Sequence, residues 1–173
     1  MNEHTPRLTP VSSSLSITMA IIYLLYYFKV LTSIPCNKTI KDVFYGQFVH
    51  VDSYHLLFNL YTLYTLNRIE LEMGYKPFMY LLIFLLIFNT IVEFVLRLLF
   101  KGLKCSIGFS GILFGFISWD IASKKKLDIE LLISILLLAV IPTSKGEKVS
   151  LAGHVIGAVS GVFAALLWKS FNQ

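Results

Sequence analysis

The sequence predicts an all-α fold, a bundle of six helices that span a membrane. Of the 173 residues, 56% are hydrophobic and only 14% are charged, against about 25% charged residues in soluble domains. The mean hydropathy is +0.73, and the apolar residues fall into six stretches separated by polar ones. Lipid offers no partner to backbone N–H and C=O groups, so only helices and closed barrels cross it. The alternating pattern of a barrel is missing.

The six stretches cover approximately residues 15–34, 54–72, 77–100, 107–122, 128–142 and 149–168. Most of them reach the roughly 17–25 residues that a membrane span needs, and the fifth is short. Asp52 or Ser53 suits the N-cap of the second helix, and Pro77 suits the first turn of the third. We expect residues 1–14 to form a polar N-terminal tail and residues 15–170 to form one helical domain.

The basic residues lie between the predicted spans, so the net charge of +5 does not indicate a nucleic-acid partner. The densest run, Lys124, Lys125 and Lys126, follows the fourth span. Positive loops usually stay in the cytoplasm, which predicts a cytoplasmic position for this run. With six spans, the starts of the second, fourth and sixth all lie on the opposite face.

Four polar residues lie close to those three starts. His55 and Asn59 belong to the second span, Ser110 to the fourth and His154 to the sixth, so topology predicts a shared side and a similar depth. Polar residues within a membrane are costly and indicate a functional site. Ser110 and His154 suit a nucleophile and its base. His55 and Asn59 share a helical face and could donate to an oxyanion, or they could join helices by polar contacts.

Glycines recur at four-residue intervals in the fourth and sixth spans. Such faces let membrane helices approach closely, which a short Ser–His hydrogen bond requires. On their own they would indicate ordinary helix packing without chemistry. The glycines concerned are Gly111, Gly115, Gly153, Gly157 and Gly161.

Several motifs of the chain resemble those of rhomboid proteases. The segment from His50 to Asn59 resembles their second transmembrane helix, and Glu70 with Gly74 resembles the ExxxG at its end. Residues 108–111 (Gly-Phe-Ser-Gly) resemble the GxSG motif of their fourth helix, and residues 153–157 resemble the histidine motif of their sixth. The resemblance extends from about residue 44 to residue 165 and implies a six-helix rhomboid-like bundle.

The resemblance also implies a role for each matching residue. Ser110 would be the nucleophile and His154 the general base, and no acidic residue would complete a catalytic triad. The oxyanion hole would consist of His55, Asn59 and the backbone N–H of Ser110. The expected supporting residues are Phe114 against the histidine, Gly108, Gly111 and Gly157 at close contacts, and His50, for which we expect a structural role. The substrates would be single-pass or polytopic membrane proteins in the lipid bilayer, with no cofactor, no metal and no nucleic acid.

Finer details resemble the six-helix eukaryotic rhomboids of the endoplasmic reticulum and Golgi, which favours an endomembrane location. They are the run from Cys105 to Gly111 and the pair Ile141-Pro142. Cys36 and Cys105 are predicted to lie on the same, non-cytoplasmic side of the membrane. We expect free thiols there rather than a disulfide. Three alternatives remain: a proteolytically inactive rhomboid-like protein that binds membrane clients, a transporter or channel, and, least favoured, a soluble hydrolase.

Overall fold

The computed structural model describes residues 9–35, 39–100, 103, 106–124 and 151–171. Within these ranges it contains six helices and no strand, which confirms the predicted all-α class. The helices are α1 (Pro10–Tyr27), α2 (Ile40–Gly46), α3 (Ser53–Met73), α4 (Tyr75–Leu99), α5 (Ser110–Lys124) and α6 (Leu151–Phe171). Five of them coincide with predicted spans. The predicted fifth span, residues 128–142, lies outside the described residues, as do Cys36 and Cys105.

Three of the described helices, α1, α4 and α6, are long and apolar enough to cross a membrane. The chain is therefore a helical membrane protein with several spans, as predicted. Helix α3 is long enough, with 21 residues, but polar residues such as Asn59, Arg68 and Glu70 make it less apolar. The described apolar part of α5, Ser110–Ser123, is shorter than a full span.

Helix α1 begins and ends earlier than the predicted span of residues 15–34. It starts at Pro10, where the missing N–H of proline costs nothing, and it ends at Tyr27. The backbone N–H groups of Val11 and Ser12 donate to the Glu70 carboxylate of α3 at 2.9 and 2.8 Å, and Ser12 Oγ donates at 2.7 Å. The local sequence predicts that the serines at residues 12–14 belong to a polar tail. A local sequence pattern does not show that a carboxylate far along the chain binds Ser12. The division into a tail and one domain stays a prediction, since residues 1–8 are not described.

Helix α2 was not predicted, because seven residues make too short an apolar pattern. A capping box starts it: Thr39 Oγ1 accepts from the N–H of Asp42, and the Asp42 carboxylate accepts from the N–H of Thr39. The helix packs against α4. Just after it, Gln47 Nε2 donates to Thr90 Oγ1 of α4 at 2.8 Å.

The predicted helix boundaries around α3 and α4 are confirmed. Asp52 is the N-cap of α3 and accepts from the N–H of His55 at 2.8 Å. Gly74 ends α3 with a φ of +85°, in the region that favours glycine. Pro77 lies in the first turn of α4.

Helix α5 lies at the centre of the bundle, in contact with α3, α4 and α6. Its side chains Ile112, Leu113 and Phe116 are fully buried, and the Phe116 ring stacks on Phe78 of α4 at 4.8 Å between centroids. On its far half, Asp120 pairs with Arg68 of α3 at 2.7 Å. The bundle therefore surrounds the helix that begins at Ser110.

Candidate active site at the start of α5

The turn that leads into α5 depends on Gly108. Its φ of +103° is a conformation that side-chain-bearing residues rarely adopt. Its N–H donates to the carbonyl of Gly46 at 2.9 Å. A Cβ at this position would lie 2.6 Å from His55 Nε2, so only glycine fits. Gly108 thus allows the turn and lets the His55 ring approach it.

Ser110 and His154 are brought together. Ser110 is the first residue of α5, and His154 lies in the first described turn of α6. Ser110 Oγ and His154 Nε2 are 2.9 Å apart, and the two residues are only 6% and 7% exposed. This distance is a normal hydrogen bond, and it falls in the range expected of a nucleophile and its base.

The contact exists because α5 and α6 meet backbone to backbone. A Cβ on Gly157 would overlap the carbonyl of Gly111, and a Cβ on Gly161 would overlap the carbonyl of Gly115. The four-residue glycine pattern therefore serves helix packing, as its sequence predicts. Gly111 follows Ser110 directly, and Gly157 lies one turn after His154, so this packing fixes the distance between the two side chains.

Phe114 lies against the imidazole of His154. The ring centroids are 4.4 Å apart, with an angle of 31° between the ring planes. Phe114 is one turn after Ser110 on the same helix, so it reaches the histidine from the side of the serine. This contact restricts the orientation of the His154 ring.

His55 and Asn59 line the same region, on α3. The His55 ring lies over Gly108, and its centroid is 5.0 Å from that of the His50 ring. Asn59 is fully buried, and its Nδ2 donates to the His55 carbonyl at 2.7 Å. Among the described residues, His55 Nδ1 has no hydrogen-bond partner. A buried polar atom without a partner requires an explanation, and a role in binding a substrate is one.

His50 connects the loop before α3 to the turn before α5. Its Nδ1 donates to the Phe48 carbonyl at 3.2 Å, and its Nε2 accepts from the N–H of Phe109 at 3.5 Å. These two bonds require a neutral ring. Burial, and secondly the charge of His55, lower the pKa of His50 to about 3, so the ring is neutral at physiological pH. The predicted structural role fits this geometry.

Helix α5 is short for a membrane span. With 15 residues at about 1.5 Å per residue it covers about 22 Å, short of a hydrocarbon core of about 30 Å. Ser110 is its first residue.

Sequence reasoning missed two residues near this site, Gln47 and Thr90. The only signal would have been a glutamine and a threonine within otherwise apolar segments. Their pairing joins residues 43 positions apart, which no local pattern reveals.

Comparison with known proteins identifies the family. The sequence model of the family described as "Rhomboid domain" matches residues 38–171, most of the chain. The chain belongs to the rhomboid family. It is also similar to a protein of Acanthamoeba polyphaga mimivirus that is named, provisionally, as a rhomboid protein. The two are 29% identical over 149 residues, and the match covers 86% of each chain.

Family membership confirms the resemblance on which the roles of the site residues were based.

Proposed function

We propose that this rhomboid is an intramembrane serine endopeptidase that cleaves transmembrane segments of membrane proteins. The observation that carries the proposal is the 2.9 Å contact between Ser110 Oγ and His154 Nε2. A buried serine and histidine in contact, on two helices that meet through glycines, need a reason in an apolar bundle. A nucleophile with its base supplies that reason.

In the proposed reaction, Ser110 Oγ attacks the carbonyl carbon of the scissile peptide bond while His154 Nε2 takes the hydroxyl proton. The C–N bond then breaks, and His154 returns the proton to the departing amine, which leaves an acyl-enzyme. A water molecule, deprotonated by His154, attacks the ester and releases the second product and Ser110. In place of an acidic third member, Phe114 orients the histidine ring by direct contact.

The negative oxygen formed during attack would be stabilised by His55, Asn59 and the backbone N–H of Ser110. The His55 ring is next to the turn before Ser110, and Asn59 keeps one N–H beyond the one that it donates to the His55 carbonyl. Each donor of this kind is worth about 3–4 kcal/mol of transition-state stabilisation.

The substrates we propose are single-pass or polytopic membrane proteins that share the bilayer with the enzyme. Their peptide bonds are shielded by helical hydrogen bonds, so a substrate helix must unwind locally before attack. Gly, Pro or other small residues would favour this step. Water would reach Ser110 from the nearer membrane surface, since the serine is at the start of its helix.

An endomembrane location, in the endoplasmic reticulum or Golgi, is part of the proposal. It is supported by the motif details around Ser110 that resemble rhomboids of those membranes. Fluorescence microscopy of the tagged full-length protein beside markers of both compartments tests it, and exclusive plasma-membrane signal would refute it.

The deciding experiment is labelling of the purified protein in detergent with a fluorophosphonate serine probe. Wild type should be labelled, whereas Ser110→Ala and His154→Ala should not. Ser118→Ala is the matched control, because it makes the same change two turns further along α5 and should leave labelling intact. Folded wild-type protein that stays unlabelled would instead favour a rhomboid-like protein that binds membrane clients, and co-purification of those clients would be the next test.

A further inference from the structure

The turn before Ser110 is held from one side by the segment that precedes α3. We call residues 106–109 the nucleophile turn and residues 46–50 the anchor segment. The Gly46 carbonyl accepts from the N–H of Gly108 at 2.9 Å. The rings of Phe48 and Phe109 lie 5.6 Å apart, and His50 Nε2 accepts from the N–H of Phe109 at 3.5 Å. Three contacts therefore transmit the position of the anchor segment to the nucleophile turn.

The anchor segment is in turn bonded to α4. Gln47 Nε2 donates to Thr90 Oγ1 at 2.8 Å, and the Thr90 hydroxyl donates to the Leu86 carbonyl at 2.7 Å. Because the Thr90 hydroxyl proton is donated to the Leu86 carbonyl, the Thr90 oxygen accepts the hydrogen bond from Gln47 Nε2. Gln47 is 7% exposed and Thr90 is 5% exposed, so water cannot easily replace this bond.

The same part of α4 also binds α6, the helix that carries His154. Asn89, the neighbour of Thr90, donates to Ser160 Oγ of α6 at 3.0 Å. Ser160 in turn donates to the carbonyl of Gly157, one turn beyond His154. Two adjacent residues of α4 therefore bind two different elements, the anchor segment through Thr90 and α6 through Asn89.

We propose that Gln47 and Thr90 are positioning residues that set the nucleophile turn, and with it Ser110, against His154. The effect on the reaction rests on the proposed function, whereas the effect on the position of the nucleophile turn does not. Neither residue touches the serine or the histidine. They act through Gly46 and the hydrogen bond from Gly108.

The replacement of Thr90 by valine keeps the shape of the side chain and removes the oxygen. Gln47 Nε2 then loses its partner in a buried place, where Gln47 Oε1 already has no partner among the described residues. An unsatisfied buried amide is costly, so the anchor segment must shift to find another partner. The shift reaches Gly108 through Gly46. A displacement of about 1 Å at a reacting group can reduce a rate about a hundredfold.

The test uses purified full-length protein in detergent and two readouts. The first is fluorophosphonate labelling at several probe concentrations, which separates the rate constant at saturation from the probe affinity. The second is backbone hydrogen exchange of a peptide that covers residues 106–110. The variants are Thr90→Val, Thr90→Ser, Gln47→Met and the double variant. Thr65→Val is the matched control, since it removes a threonine hydroxyl that also donates to a carbonyl of its own helix, that of Thr62 at 2.8 Å, but in the far half of α3.

We expect Thr90→Val and Gln47→Met each to lower the saturating rate constant at least about tenfold, with probe affinity within about twofold. Exchange of the 106–110 peptide should become faster in both. Thr90→Ser, which keeps the hydroxyl, should restore both readouts, and the double variant should be no worse than either single one, because the residues act as a pair. Thr65→Val should resemble wild type.

The outcomes separate this proposal from the proposed function. Faster exchange in Thr90→Val that serine reverses supports the positioning role even if wild type is never labelled, a result that would count against the protease alone. Unchanged exchange and unchanged labelling in Thr90→Val would overturn the positioning role. Equal losses in Thr90→Val and Thr65→Val would also overturn it, because general destabilisation would then explain the effect.

Discussion

The contact between α5 and α6 makes a quantitative prediction for Gly157→Ala. The added Cβ would overlap the Gly111 carbonyl oxygen and lie 2.8 Å from its carbonyl carbon, whereas ordinary contacts begin at 3.4 Å. The neighbouring atoms belong to backbone, which has no rotamer to change. The two helices must therefore separate by at least the missing 0.6 Å, and further once the closer carbonyl oxygen is cleared.

A separation of this size breaks the hydrogen bond between Ser110 and His154, the proposed nucleophile and base. The Ser110–His154 distance of 2.9 Å would rise to about 3.5 Å or more, beyond the range of a good hydrogen bond. We expect a fall in the saturating rate of serine labelling of about a hundredfold. The overpacking should also lower the free energy of unfolding by about 1–3 kcal/mol.

The assay combines labelling kinetics with thermal unfolding in the same detergent. Val159→Leu is the control, because it adds bulk to the exposed face of α6, where Val159 is 57% exposed, and should change neither readout. Labelling of Gly157→Ala within threefold of wild type would refute the reasoning, since it would mean that the helices adapt without moving the two side chains apart.

Two further predictions concern groups outside the dyad. Glu70→Gln removes the charge that holds the first turn of α1 and should cost about 1.5–3 kcal/mol of unfolding free energy, seen as a lower Tm. The control is Lys41→Gln, which removes one charge from an exposed side chain of α2, and equal losses would contradict the assignment. His50 has a folded pKa of about 3 against an ordinary 6.5, so the unfolded chain binds a proton that the folded one excludes. Stability should therefore fall as pH drops from 6.5 towards 3, by up to about 1.4 kcal/mol per pH unit, and His50→Gln should flatten this fall in unfolding titrations.

The parts of the site that could be predicted are those fixed by helix order. Ser110 and His154 are each near the start of an even-numbered predicted span, and the starts of such spans share one face of a membrane. Glycines at four-residue spacing then predict close helices. The structure brings the two side chains to 2.9 Å, and the small residues allow the close approach of α5 and α6.

The parts that could not be predicted depend on single long-range hydrogen bonds. The early start of α1 follows from the Glu70 carboxylate, 58 residues away from Ser12. The anchor segment is fixed by the Gln47–Thr90 bond across 43 residues. No periodic or local sequence pattern links the residues of either pair. The sequence therefore shows a polar residue in an apolar segment without showing which residue it binds.

The geometry of α4 explains why such bonds matter more here than their individual energies indicate. Asn89 and Thr90 are about 100° apart around the helix axis, so they reach different neighbours, Ser160 of α6 and Gln47 before α3. Helix α4 is therefore bonded both to the anchor segment and to α6, which carries His154. The loss of one bond moves one half of the site relative to the other. A hydrogen bond worth about 1 kcal/mol to stability can therefore have a much larger effect on the reaction, and Thr90→Val should reduce labelling far more than it reduces Tm.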